Sequence, residues 1–171
     1  WLLLESSRSR IPETAEDWHP PTSAMSNAPR EAPAFELEDR QGQVHTLEQY
    51  RGKPVLLNFW GTWCPPCLDE MPSLQTLVTS MADTGLVVIA VALDDDWGVV
   101  DPVLQQTGFG EGAVVLLNPS RGVAESYGTV KVPETYLIDE EGVIVHKFVG
   151  AKDWEHEPFL RDLRAFVVGE E

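Results

Sequence analysis

The sequence predicts an α/β protein built on one mixed sheet with helices on both faces. Three observations carry this. Val55-Leu56-Leu57-Asn58-Phe59-Trp60 is apolar except at Asn58, as for a strand buried on both faces. Residues 86–93 form a second such run, apolar throughout. Between them Leu68, Met71, Leu74, Val78 and Met81 recur close to the helical period. Strand, helix and strand of these lengths make a right-handed βαβ unit.

The elements follow in order. In residues 1–33, Pro12, Pro20, Pro21, Pro29 and Pro33 interrupt any periodicity, and Ser, Glu and Arg fill the gaps. This reads as a flexible tail or linker, with His19 solvated. Its first residues, Trp1-Leu2-Leu3-Leu4, are apolar but far too few to span a bilayer. They are read as the last turn of an anchor or signal segment. Residues 34–171 are then one domain. Residues 34–39 and 44–47 flank Arg40-Gln41-Gly42-Gln43 and predict a hairpin with His45 on its open face. Thr46 and Gln49 have the spacing of a capping box for one helical turn through Tyr50, ended by Gly52.

The βαβ unit comes next, its helix stopped by Gly85 and kinked by Pro72. Asp94-Asp95-Asp96 follows the second strand and reads as turn and helix-start chemistry, with divalent-metal binding as the rival. Asp101-Pro102 is a further start signal and Gly108 a stop. Residues 113–117 predict a strand, Asn118-Pro119-Ser120 a turn and cap, and Gly122–Tyr127 a short helix closed by Gly128. Residues 135–139 and Val143–Val149 predict a second hairpin through Glu140-Glu141-Gly142, with His146 structural. Asp153 is expected to cap a last helix whose buried stripe is Phe159, Leu160, Leu163, Phe166 and Val167.

Composition narrows the function. The chain has 171 residues and is 43% hydrophobic, enough for a real core. Twelve Lys and Arg stand against 28 Asp and Glu, a net charge of −16. Such a chain repels phosphate backbones, which argues against nucleic acid as a partner.

The only two cysteines lie in Trp63-Cys64-Pro65-Pro66-Cys67, where an apolar strand runs straight into an amphipathic helix. A helix start has unpartnered N–H groups and a dipole that favours negative charge, so a thiol there loses its proton more easily. Three residues along a helix place Cys67 on the same face, where the two sulfurs can close a small ring. Pro65 and Pro66 suit a first turn, where a missing N–H costs little. Zinc would need two further ligands, and His19, His45, His146 and His156 form no pair at ligand spacing. A purely structural disulfide closing so small a loop constrains the unfolded chain weakly. Redox chemistry is the reading that the pair beside a βαβ unit supports. No cofactor beyond a redox-active Cys64–Cys67 disulfide is expected.

The Trp63–Cys67 motif, Pro72 and Val132-Pro133-Glu134-Thr135 together resemble the thioredoxin superfamily over about residues 31–168. The leading hairpin, Phe59-Trp60-Gly61-Thr62-Trp63-Cys64, the extra strand and helix within residues 109–128 and Pro133-Glu134-Thr135-Tyr136-Leu137-Ile138-Asp139 are most similar to its TlpA/ResA/CcmG-like branch. The resemblance implies a thioredoxin fold with an N-terminal hairpin and an inserted strand-helix, and a cis-proline at Pro133. It also implies an extracytoplasmic, membrane-anchored monomer that reduces disulfides in cytochrome c maturation or copper-oxidase assembly, recharged by a membrane redox donor. Ordinary thioredoxin carries a buried acid six positions before the first cysteine, where this chain has Asn58. The branch instead keeps a Glu three residues after the second cysteine, and Glu70 stands there. Expected roles are Cys64 as nucleophile, Cys67 as resolving thiol and Glu70 as its proton acceptor. Trp63, Pro65, Pro66, Val132 and Pro133 are expected to contact substrate. A peroxiredoxin-like thiol peroxidase and a non-catalytic Cu(I)-binding chaperone are the rival functions.

Overall fold

A computed structural model describes residues 30–169. The readings of Trp1 to Leu4 and of His19 lie outside them. Strands β1 (Arg30–Glu31), β2 (Glu36–Glu38), β3 (Val44–Thr46), β4 (Val55–Trp60), β5 (Val87–Ala92), β6 (Val114–Leu117), β7 (Glu134–Ile138) and β8 (Val143–Val149) form one eight-stranded sheet. Its order is β1-β8-β7-β4-β5-β6-β2-β3. Helices are α1 (Pro65–Ser80), α2 (Trp97–Thr107), α3 (Gly122–Tyr127) and α4 (Glu157–Val168), with a 3-10 turn at Leu47–Tyr50.

The apolar run β4 takes the centre, parallel to β5 and antiparallel to β7, and every one of its residues is buried. Its alternate side chains feed two cores. Leu56 and Trp60 face α1, α2 and α4, while Val55, Leu57 and Phe59 face the hairpin and α3. The inserted β6 continues the parallel register from β5, and its far edge takes β2 through Glu38 and Leu117. The first core holds an aromatic group: Phe148 with Trp154 at 5.2 Å and with Phe159 at 5.8 Å, all edge-on. Phe159 belongs to the buried stripe of α4 together with Leu163 and Val167, while Leu160 and Phe166 are partly covered. Phe159→Ala should lower stability by about 3–5 kcal/mol through the cavity it leaves. The exposed Arg161→Ala should change it by less than about 0.5 kcal/mol. Denaturant midpoints for the two variants check the contrast.

Four expectations are corrected. Arg30 and Glu31, read as the end of a tail, pair with Ile144 and Val143 at the edge of the sheet. His45 is not on an open face: it is half-buried, 2.7 Å from the Tyr50 hydroxyl and 2.9 Å from the Asp39 carboxylate. Its aromatic and acidic neighbours arrive from the turns on either side, which alternation does not register. Asp101-Pro102 does not start a helix. Asp96 does, accepting from Gly98 N–H, so Pro102 falls inside α2 and Asp101 pairs with Arg40 at 2.6 Å. Asp153 caps only a turn, accepting from Glu155 N–H at 3.2 Å, and α4 begins after His156 with Pro158 in its first turn.

Candidate active site at the start of helix α1

Strand β4 delivers the chain to the site. Its last carbonyl, Trp60, accepts from Leu93 N–H at 2.8 Å. The chain then turns at Gly61, where a Cβ would lie 2.6 Å from the Trp63 indole. Glycine is therefore what lets Trp63 fold back over the loop. Thr62 is tied down from the side: its N–H donates to the Asp94 carboxylate at 3.1 Å and its hydroxyl at 2.5 Å. Asp94 is buried, so the first acid of the Asp94–Asp96 run anchors the active-site loop and the third caps α2. Among the described residues no three His, Cys, Asp or Glu side chains gather as a metal site.

Cys64 is the N-cap of α1, with extended φ and ψ of −109° and 100°. The Cys67 N–H points at its sulfur across 3.3 Å, and Pro65 and Pro66 fill the first turn. This is the amide and dipole environment that stabilises a thiolate. The cysteines form a disulfide, their Cα atoms 5.3 Å apart. They differ in access. Cys64, 5% exposed, lines an open groove of about 550 Å³ with Trp63, Pro65, Pro66 and Val132, whereas Cys67 is 1% exposed and does not line it. The Val132–Pro133 peptide is cis, and the Val132 carbonyl oxygen lies 3.6 Å from Cys64 Sγ. Glu134, next along β7, turns to the other face and pairs with Lys147 at 3.0 Å.

Glu70 is one turn beyond Cys67 and also buried. Its Oε1 accepts from Asn58 Nδ2 at 3.0 Å, and Asn58 also donates to Thr135 Oγ1 at 2.9 Å. Its Oε2 accepts from the Lys152 N–H at 3.0 Å and the Trp154 indole N–H at 2.9 Å. Burial pushes the Glu70 carboxyl up to about 7, against these three hydrogen bonds and the nearby Lys152 charge, which favour the ionised form. With two donors on Oε2 and one on Oε1, the free acceptor direction for a proton is on Oε1. His146, on β8, is held neutral by burial, its pKa lowered to about 4, and it packs on Phe148.

Five of the expected residues thus line one mouth, Trp63, Cys64, Pro65, Pro66 and Val132, while Pro133 is buried and joins it only through the cis peptide to Val132. Cys67 and Glu70 lie just beneath. Sequence reasoning did not find Thr62, Asp94, Trp154 or Arg121. Trp154 carries a signal in the chain, a lone large aromatic in a polar stretch beside Asp153.

A sequence model of the AhpC/TSA family matches residues 29–147. The chain belongs to this family, in the TlpA/ResA/CcmG-like branch of the thioredoxin superfamily. It is 33% identical over 135 residues to the thiol-disulfide oxidoreductase ResA of Bacillus anthracis, covering 78% of this chain and 77% of that one. With ResA of Halalkalibacterium halodurans it shares 34% over 127 residues, 74% and 71% of the two chains. The solution structure of a thiol:disulfide interchange protein from a Bacteroides species superposes with a TM-score of 0.70 at 28% identity, covering 84% and 91%. As a family member the chain is a thiol-disulfide oxidoreductase that acts on protein disulfides. Its fold is the thioredoxin fold expected from the sequence. Among the described residues no helix is long and apolar enough to cross a membrane.

Proposed function

We propose that this oxidoreductase is a reductant of disulfides in exported client proteins, with Cys64 attacking, Cys67 resolving and Glu70 taking the resolving proton. The observation that supports it best is the order along one helix start: Cys64 on the groove, Cys67 off it and 1% exposed, and a buried carboxylate one turn further on. Cys64 thiolate attacks one sulfur of the client disulfide, forming a mixed disulfide and releasing one client thiolate. Cys67 gives its proton to Glu70 Oε1, attacks Cys64 Sγ and displaces the second client thiolate. Two electrons pass to the client, its two thiolates take up the two protons, and the Cys64–Cys67 disulfide remains. A dithiol donor at the membrane returns the two electrons, and the protein needs no other cofactor.

The clients on this reading are proteins of cytochrome c maturation or copper-oxidase assembly. The setting is the outer side of the cytoplasmic membrane, the protein working as a monomer with the residues before Arg30 as a linker. These details rest on the branch the chain belongs to. Equilibration with glutathione buffers tests the direction of electron flow. The expected Cys64–Cys67 potential is closer to about −270 mV than to about −120 mV, and a value above about −180 mV would assign an oxidant instead.

A further inference from the structure

We propose that the groove beside Cys64 selects client segments carrying an Asp or Glu next to the reactive cysteine, and that Arg121 reads that carboxylate. The inference rests on the Cys64-led reading above and adds a substrate class to it.

Three independent observations converge on Arg121. The first is its backbone. It is the only non-glycine among the described residues with positive φ, at 60°. A glycine adopts that conformation freely and an L side chain does not, so an arginine held there has something to account for it. The second is where its side chain goes. The guanidinium stands 5.3 Å from the centroid of the Trp63 ring, and Trp63 is 52% exposed, next to Cys64 in the chain. Cation–π attraction to an exposed indole holds the guanidinium at this groove, and its planar fork suits a carboxylate.

The third is charge. In a chain of net −16, five of the ten described Lys and Arg pair with the protein's own acids. Arg40 is taken by Asp101, Arg51 by Glu48, Lys147 by Glu134, Arg161 by Asp162 and Arg164 by Asp83. Among the described residues no carboxylate pairs with Arg121 or with Lys131, and both line this groove. Against them the groove holds one acid, Glu125, so its rim is net positive on an acidic molecule. The rest of the surface repels an acidic segment, and this mouth is where such a segment can be held. Repulsion from the distant acids is screened beyond about 8 Å at physiological salt, while a contact at the rim is screened less.

The fit also explains how the chemistry is presented. A segment lying along Val132 brings its cysteine to Cys64 Sγ, and its neighbouring side chain meets the opposite rim, where Arg121 leads α3. The strand and helix inserted between β5 and β7 thus supply the recognising residue, and α1 supplies the sulfur.

The test uses two end-blocked peptides with the same internal disulfide, differing only in an Asp or a Lys beside one cysteine. Single-turnover reduction by the reduced protein is measured for each. Each rate is divided by the same peptide's rate with dithiothreitol, which removes the effect of the charge on the disulfide itself. The expected normalised preference is about fivefold for the Asp peptide at low salt, shrinking towards parity at high salt. Arg121→Gly relaxes the backbone and should keep the melting temperature. It should bring the preference below about twofold, with Arg121→Lys between. Equal normalised rates in the wild type, or a preference that survives Arg121→Gly, overturns this inference and leaves the Cys64-led mechanism standing. Reduction of neither peptide overturns that mechanism, and this inference with it.

Discussion

Cys64→Ser should abolish disulfide turnover, by on the order of a thousandfold or more. Cys67→Ser should instead stall after the first exchange and hold the client as a mixed disulfide. The contrast follows from access. Cys64 lines the groove and caps α1, where the amide of Cys67 faces its sulfur at 3.3 Å. Cys67 is 1% exposed and has no path to a client sulfur, but it lies three residues along the same helix from the one it must attack. Without it the captured client has no internal thiol to release it. Non-reducing electrophoresis and mass spectrometry of the Cys67→Ser protein from an extracytoplasmic extract would show the adduct and name its partner. Identical behaviour of the two variants would remove the division of labour between the sulfurs.

Glu70→Gln should slow the resolving step by about a hundredfold, the size of effect expected when a positioned proton acceptor is lost. Its pH profile identifies the group. In the wild type, resolution should speed up as pH rises through about 7, because Glu70 accepts a proton only once ionised. The variant should lose that rise.

Stability supplies a second readout, of opposite slope. Folded Glu70 holds its proton up to about 7, whereas in the unfolded chain it releases it near 4.5. Between those values the folded state binds more protons, so this group's contribution is fully present below 4.5 and lost as pH rises through 7. The loss is about 3 kcal/mol across the window. Denaturant titrations of oxidised protein at pH 5 and pH 8 should show this decline in the wild type and little of it in Glu70→Gln. The same variant puts an amide N–H₂ where Oε1 met the Asn58 amide, so a donor faces a donor. A pH profile and a stability slope both unchanged by the substitution would reduce Glu70 to a helix-start charge.

Much of the architecture was legible in the chain because its causes are local. The two buried strands of the βαβ unit announce themselves as apolar runs, broken only at Asn58, and α1 as a helical stripe. Gly108 and Gly128 stop helices where only their left-handed conformation closes the last turn. Thr46 and Gln49 met as their spacing required, the Gln49 side chain accepting from Thr46 N–H. The errors came where local signals compete. Asp96 and Asp101 both look like caps, and Asp153 looks like one more. Which acid begins a helix is settled by where the helix packs, not by its own few residues.

The chemistry divides in the same way. Sequence by itself determined that two sulfurs share one face at a helix mouth, with a carboxylate one turn on, because helical geometry sets those relations within seven residues. Only the tertiary structure decided what surrounds them. Trp154 reaches Glu70 from 84 residues away, Asp94 grips Thr62 from 32 residues away, and Arg121 crosses to Trp63 from an inserted helix. Those contacts depend on how the sheet brings the ends of its strands together. No periodicity or spacing along the chain encodes that distance, so burial, charge and access at the site exist only once the sheet has closed around it.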